Sequence, residues 1–141
     1  MSADPNLTAD DIAFLRRPLH GFLTVAAGPT PPQPRPIWYE LADDGTVQFF
    51  TEAGAAKLRR LRTDPRASLV VAAPVGERER WVSVAGPVTV EPDGARELCD
   101  RLAAHYWDLG DPDRAADLAA MRAGDLVRVT LHPEKVARVG Y

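Results

Sequence analysis

The chain is predicted to be mainly β with some helix: a small closed barrel with short helices packed outside it. Three observations carry this expectation: about seven short apolar or alternating runs, turn signals that place several of them in hairpin order, and only four segments of helical periodicity. At 141 residues the chain can bury one core and is short for two, so residues 1–141 are expected to form a single domain.

Thr8 followed by Asp11 reads as a capping box opening a helix over 9–17, with Ile12 and Leu15 apolar and Pro18 as the stop. His20 to Ala27 and Ile37 to Leu41 read as strands joined by GPTPPQPRP, a stiff connection more simply than an SH3 ligand. Asp43-Asp44-Gly45 is a hairpin turn into a strand over 46–51, in which Val47 and Phe49 share a face. A helix over 55–62 ends at Asp64-Pro65, and Ala67 to Ala73 is apolar enough for a buried strand. In the strand from Trp81 to Val90, Trp81, Ser83 and Ala85 oppose Val82 and Val84, and Gly86-Pro87 predicts a bend. A helix opening at Asp93 runs to Tyr106, and Asp111-Pro112 caps another to Ala123 that Gly124 closes. LVRVTL at 126–131 and a short run at 136–139 return the chain to sheet.

Composition narrows the function classes. A formal net charge of −3, with 45% hydrophobic and 26% charged residues, weighs against nucleic acid as a partner. No apolar run approaches the roughly 20 residues needed to span a bilayer, and MSADPNLTADD has neither a basic flank nor an apolar signal core, so no membrane association and a cytoplasmic location are expected. The single cysteine, Cys99, reads as packing, and His20, His105 and His132 lack paired-ligand spacing, so no metal site is expected.

Positive charge is nevertheless concentrated locally. Between residues 57 and 66, Lys57, Arg59, Arg60, Arg62 and Arg66 stand against Asp64 alone, a net +4. Lys57 and Arg60 share a helix face, while Leu58 and Leu61 can anchor the helix to a core. Lysine there is not compositional habit, because the chain has 15 arginines and only two lysines, Lys57 and Lys135. A helix N-terminus preceded by Gly54 offers free amides and the positive end of the dipole to a phosphate. A solvated cationic face explains the same residues, and local physics leaves both readings open. No glycine-rich Walker or dinucleotide fingerprint accompanies the cluster.

The run PRPIWYELADDGTVQFFTEAGAAKLRRLRTDPRASLVV, together with the later VSVAGPVTV, resembles the pyridoxamine 5'-phosphate oxidase-like split-barrel superfamily of flavin and deazaflavin proteins. The resemblance covers roughly residues 10–140 and is densest over 34–90. It implies an FMN-binding-like split barrel, and a Thr and a Lys near the cofactor phosphate, here Thr51 and Lys57. In the oxidases an Arg commonly precedes that Lys, whereas Ala56 stands here, and ARVGY does not supply their C-terminal substrate motif. Pro36-Ile37-Trp38-Tyr39 also replaces their basic second-strand pattern, so the chain looks more like the branch using coenzyme F420 than like a vitamin B6 oxidase.

The resemblance implies hydride transfer from the reduced cofactor to an unsaturated small molecule such as an enone, quinone, tetrapyrrole or nitro compound. It assigns the phosphate to Thr51, Lys57 and Arg60, with Arg59 beside them, and the ring to Pro36, Ile37, Trp38 and Phe50. Tyr39 is the nearby candidate proton donor, against a plain core role. Trp81 and Trp107 are candidates for a substrate pocket at a subunit boundary of a homodimer, against core packing. The alternatives are an FMN enzyme or FMN-binding protein of the same fold, and a non-catalytic carrier of the cofactor or of haem.

Overall fold

The computed structural model describes residues 2–3 and 6–140, and of Ser2 and Ala3 the backbone alone. The chain runs through β1 (Ser2–Ala3), α1 (Ala9–Leu15), β2 (Gly21–Val25), β3 (Arg35–Ile37), β4 (Glu40–Leu41) and β5 (Val47–Glu52). It continues through α2 (Ala56–Thr63), β6 (Arg66–Ala72), β7 (Arg80–Glu91), α3 (Ala95–Tyr106), α4 (Pro112–Arg122), β8 (Leu126–Leu131) and β9 (Lys135–Gly140). All ladders between these strands are antiparallel, in the order β3-β2-β6-β7-β8-β5-β4, with β9 joined to β7 and to β1. The result is a curled, open barrel of the split type, with the four short helices around it.

The long strand β7 makes the curl possible. Its first part pairs with β6 and β9, whereas Val88 to Glu91 pair with β8. The change of partner falls at Gly86-Pro87, where the sequence predicts a bend. There the connection from β8 to β9 crosses so closely that a Cβ on Gly86 would meet the His132 carbonyl. The expected turn at Asp43-Asp44-Gly45 also forms, with Gly45 at φ +85° and the Asp44 carboxylate accepting from the Thr46 amide at 3.0 Å.

Helix α1 starts as its sequence specifies. The Asp11 amide donates to Thr8 Oγ1 at 3.1 Å and the Thr8 amide donates to Asp11 Oδ2 at 2.9 Å, completing the capping box. Asp11 is only 1% exposed and also accepts from Arg138 Nε of β9 at 2.9 Å, so one carboxylate both caps the helix and fastens it to the sheet.

Three details differ from the sequence expectation. The strand foreseen over 37–41 is broken into β3 and β4, because Trp38 and Tyr39 carry the chain from one sheet edge to another. The Tyr39 amide there donates to the Tyr106 hydroxyl at 3.4 Å instead of to a neighbouring strand. Asp93 lies one residue before the N-cap of α3, which is Gly94 in the left-handed region at φ +81°. The two-residue β1 was not foreseen, since its sequence has no apolar pattern.

The barrel interior is filled by Leu23, Leu69, Val71, Val82 and Val84 from one side and Val47, Phe49, Val129 and Leu131 from the other. Leu58 and Leu61 of α2 and Phe14 and Leu15 of α1 complete it. Behind β5 and β8, α3 forms a smaller core around Ala95, Cys99 and Leu126, against which Phe50, Leu118 and Met121 pack. This second cover explains why β8, read as alternating, is buried on both faces except at Arg128.

Candidate cofactor site

The ends of the strand order define an opening. Edge strand β3 bounds one side, and the last residues of β5, beyond its short pairing with β4, bound the other. Pro36, Ile37 and Trp38 thus come to the same cleft as Phe50, Arg35 comes near Lys57, and α2 follows β5 after residues 53–55. The cleft has a cationic part and an aromatic part.

Lys57 stands in the first turn of α2, half-buried, with Nζ 5.8 Å from the Phe49 ring centroid. Burial lowers its pKa below the ordinary lysine value, and the nearby positive charge of Arg35 adds to the effect. The Arg35 side chain is steered by Gln33, whose Oε1 accepts from it at 3.0 Å. No side chain caps α2 and its first turn holds no acid, so its free N-terminal amides point out with the positive end of the dipole. Arg59 turns back to donate to the Gly54 carbonyl at 2.7 Å. Thr51 and Arg60 are half-buried.

Most arginines of the chain have a carboxylate partner, and the cations at this cleft do not. Among the described residues, nine other arginines are paired with carboxylates, for example Arg17 with Glu77 at 2.8 Å and Arg101 with Glu40 at 2.9 Å. Among the described residues, Lys57, Arg35 and Arg60 have no carboxylate within ion-pair distance. Two like charges, one of them desolvated, are kept together without a neutralising acid, and a bound anion would relieve that cost. The donors present therefore fit a phosphate.

The aromatic part is a cavity of about 320 Å³ lined by His20, Pro36, Ile37, Trp38, Phe50, Trp107 and Met121. Trp38 stacks on Tyr106 with centroids 5.2 Å apart and meets Trp107 edge-on at 4.6 Å and 86°, so the two indoles form a right-angled corner. Tyr106 braces this wall: its hydroxyl donates to the Leu19 carbonyl at 2.6 Å. Burial pushes its pKa up to about 12. Arg114 of α4 covers the outer face of the corner, 4.5 Å from the Trp107 ring. Such a volume and lining suit a flat conjugated ring.

Pro36, Ile37, Trp38 and Phe50 thus meet in one cavity with Trp107, while Thr51 and Lys57 lie where the same two chain segments form the cationic part. Tyr39 and Trp81 stand apart. Tyr39 is 1% exposed within the barrel core, its hydroxyl has no hydrogen-bond partner among the described residues, and burial raises its pKa. Trp81 lies on the outer face of the sheet, between Ala72 and Val139, away from Trp107. The sequence reading missed Arg35, His20, Tyr106 and Met121. Arg35 was detectable as a charge flanking Pro36, whereas the other three reach the cleft through tertiary contacts of β2, α3 and α4. No group of three or more His, Cys, Asp or Glu side chains able to hold a metal occurs among the described residues.

The sequence profile of the family described as pyridoxamine 5'-phosphate oxidase matches residues 12–140. No curated protein matches the chain. Solved structures are similar throughout its length. The conserved hypothetical protein Rv2991 from Mycobacterium tuberculosis is 22% identical, with a TM-score of 0.70, covering 96% of this chain and 86% of its own. A protein called F420 reductase is 23% identical, with a TM-score of 0.68, over 89% of this chain and 94% of its own. A FAD-binding protein from Mesorhizobium loti is 22% identical, with a TM-score of 0.65, over 100% and 99%. At these identities the structures establish the common fold. With the profile spanning residues 12–140, the chain belongs to the pyridoxamine 5'-phosphate oxidase family.

Proposed function

We propose that this protein is an oxidoreductase that binds a phosphate-bearing flavin-type cofactor, coenzyme F420, and passes a hydride to an unsaturated small molecule. The gathering of Lys57, Arg35 and Arg60 without carboxylate partners carries this reading. Lys57, Thr51 and the α2 amides would hold the phosphate, with Arg60 and Arg59 serving the further negative charges of an F420 tail. Pro36, Ile37, Trp38 and Phe50 would contact the ring. The reduced ring, when bound, supplies the hydride. The protein's part is to orient the two reactants against the aromatic wall of the cavity. Ala56 before Lys57 argues for this assignment over a vitamin B6 oxidase. FMN is the second reading, favoured by the likeness to a FAD-binding protein, because the α2 amides can supply donors that a missing side chain does not.

Titration with F420 and FMN, followed by quenching of cofactor fluorescence, tests the choice. Tight FMN binding without F420 binding would reverse it. Lys57→Ala is expected to weaken binding by about one to two decades, since a charge-assisted contact is worth roughly 1.5–3 kcal/mol.

We also propose a homodimer formed through the outer face of the sheet. Phe22 and Val70 stand in one cross-strand row there, 42% and 37% exposed, beside the row of Ala72, Trp81 and Val139. Pro36 pairs with Phe22, so this face continues to the cleft.

A further inference from the structure

Reduction of a conjugated carbonyl needs a proton as well as a hydride, and the cavity offers few sources. Of its seven lining residues only His20 has an acid–base side chain. Tyr39 is sealed in the core, and Tyr106 has committed its hydroxyl to the Leu19 carbonyl. That same bond fixes the backbone immediately before His20, which is exposed and, among the described residues, makes no hydrogen bond of its own. Its neighbours are the Tyr106 ring, at 6.2 Å between centroids, and apolar groups. Tyr106 is the titratable group against it, and Arg114 is the charge nearest the aromatic corner. Four of the lining residues are assigned above to the cofactor ring, which leaves His20, Trp107 and Met121 for the acceptor.

We propose that His20 is the proton donor to a flat, conjugated carbonyl acceptor of one or two fused rings, such as a quinone or cyclic enone, seated against Trp107. This rests on the oxidoreductase reading above. The hydride forms a C–H bond at one end of the conjugated system, the π electrons move to the carbonyl oxygen, and an imidazolium N–H bond breaks as the O–H bond forms. The neutral imidazole regains its proton from water, to which it is open. With the cofactor ring taking part of the cavity of about 320 Å³, the space left favours such a molecule over a tetrapyrrole, which carries four linked rings.

Menadione serves as the probe. In protein loaded with oxidised F420, where no hydride is available, adding menadione should shift the His20 imidazole resonances and leave those of His132 in place. An unmoved His20 would overturn the proposal. In single-turnover oxidation of reduced F420 by menadione, the rate should fall as pH rises. His20→Gln should retain the cofactor affinity and melting temperature, slow the step at least tenfold at pH 6, and flatten the profile. A variant that keeps the wild-type rate and profile removes His20 from the reaction while leaving the oxidoreductase reading intact. If the wild-type protein binds neither F420 nor FMN, or its reduced cofactor is not oxidised by menadione, the oxidoreductase reading fails and the proton donor with it.

Discussion

Lys57 stays charged against two costs, removal from water and the proximity of Arg35. Its folded pKa lies below the unfolded value, so without an anion the unfolded chain holds this proton to higher pH, and stability rises as pH climbs through the lowered pKa. Anion binding uses the protonated form. Cofactor affinity, measured by titration across alkaline pH, is therefore expected to decline below the ordinary lysine range of about 10.4. Arg35→Gln should weaken binding overall and move that decline to higher pH; an unmoved midpoint would show that Arg35 does not act on Lys57. Tyr39 makes the opposite case. Its buried hydroxyl has no partner among the described residues, and such a group costs about 1–3 kcal/mol, so Tyr39→Phe should hold or raise the melting temperature. Buried cations and orphaned hydroxyls are consequences of packing, which is why Lys57 was conspicuous in the sequence while its relation to Arg35 was not.

Elements were legible where the signal is local. The Thr8 and Asp11 capping box, the Asp43-Asp44-Gly45 turn and the bend at Gly86-Pro87 all stand where the sequence places them. The break between β3 and β4 was not legible, because it depends on a hydroxyl 67 positions away at Tyr106. Within the candidate site, the cationic segment was legible as one contiguous run, whereas the aromatic corner draws Trp107 and His20 from distant elements. Asp11 is the element-scale test. Burial by itself would raise its pKa, but hydrogen bonds from Arg138 and Thr8 outweigh that and leave it lowered. Its contribution is thus present above the unfolded carboxylate range and lost as pH falls through the folded pKa. Asp11→Asn should destabilise by about 1.5–3 kcal/mol in denaturant unfolding, since it takes the charge out of the hydrogen bond with Arg138. It should also abolish this part of the acid sensitivity.

At the scale of the molecule, the apolar rows of Phe22 and Val70 and of Trp81 and Val139 call for cover. Phe22→Lys with Val70→Asp should yield a monomer of about 15.4 kDa by sedimentation, with its fold retained. A wild-type chain already monomeric at micromolar concentration would refute the dimer. The unneutralised cluster at Lys57, Arg35 and Arg60 has a kinetic consequence. The chain as a whole carries −3, so attraction of anions has to come from local positive charge such as this cluster at the opening. The arrival rate of a phosphate-bearing ligand should then drop steeply with added salt, as the screening length falls from about 30 Å at 0.01 M to about 10 Å at 0.1 M. Its residence time, set by contacts inside the cleft, should change far less.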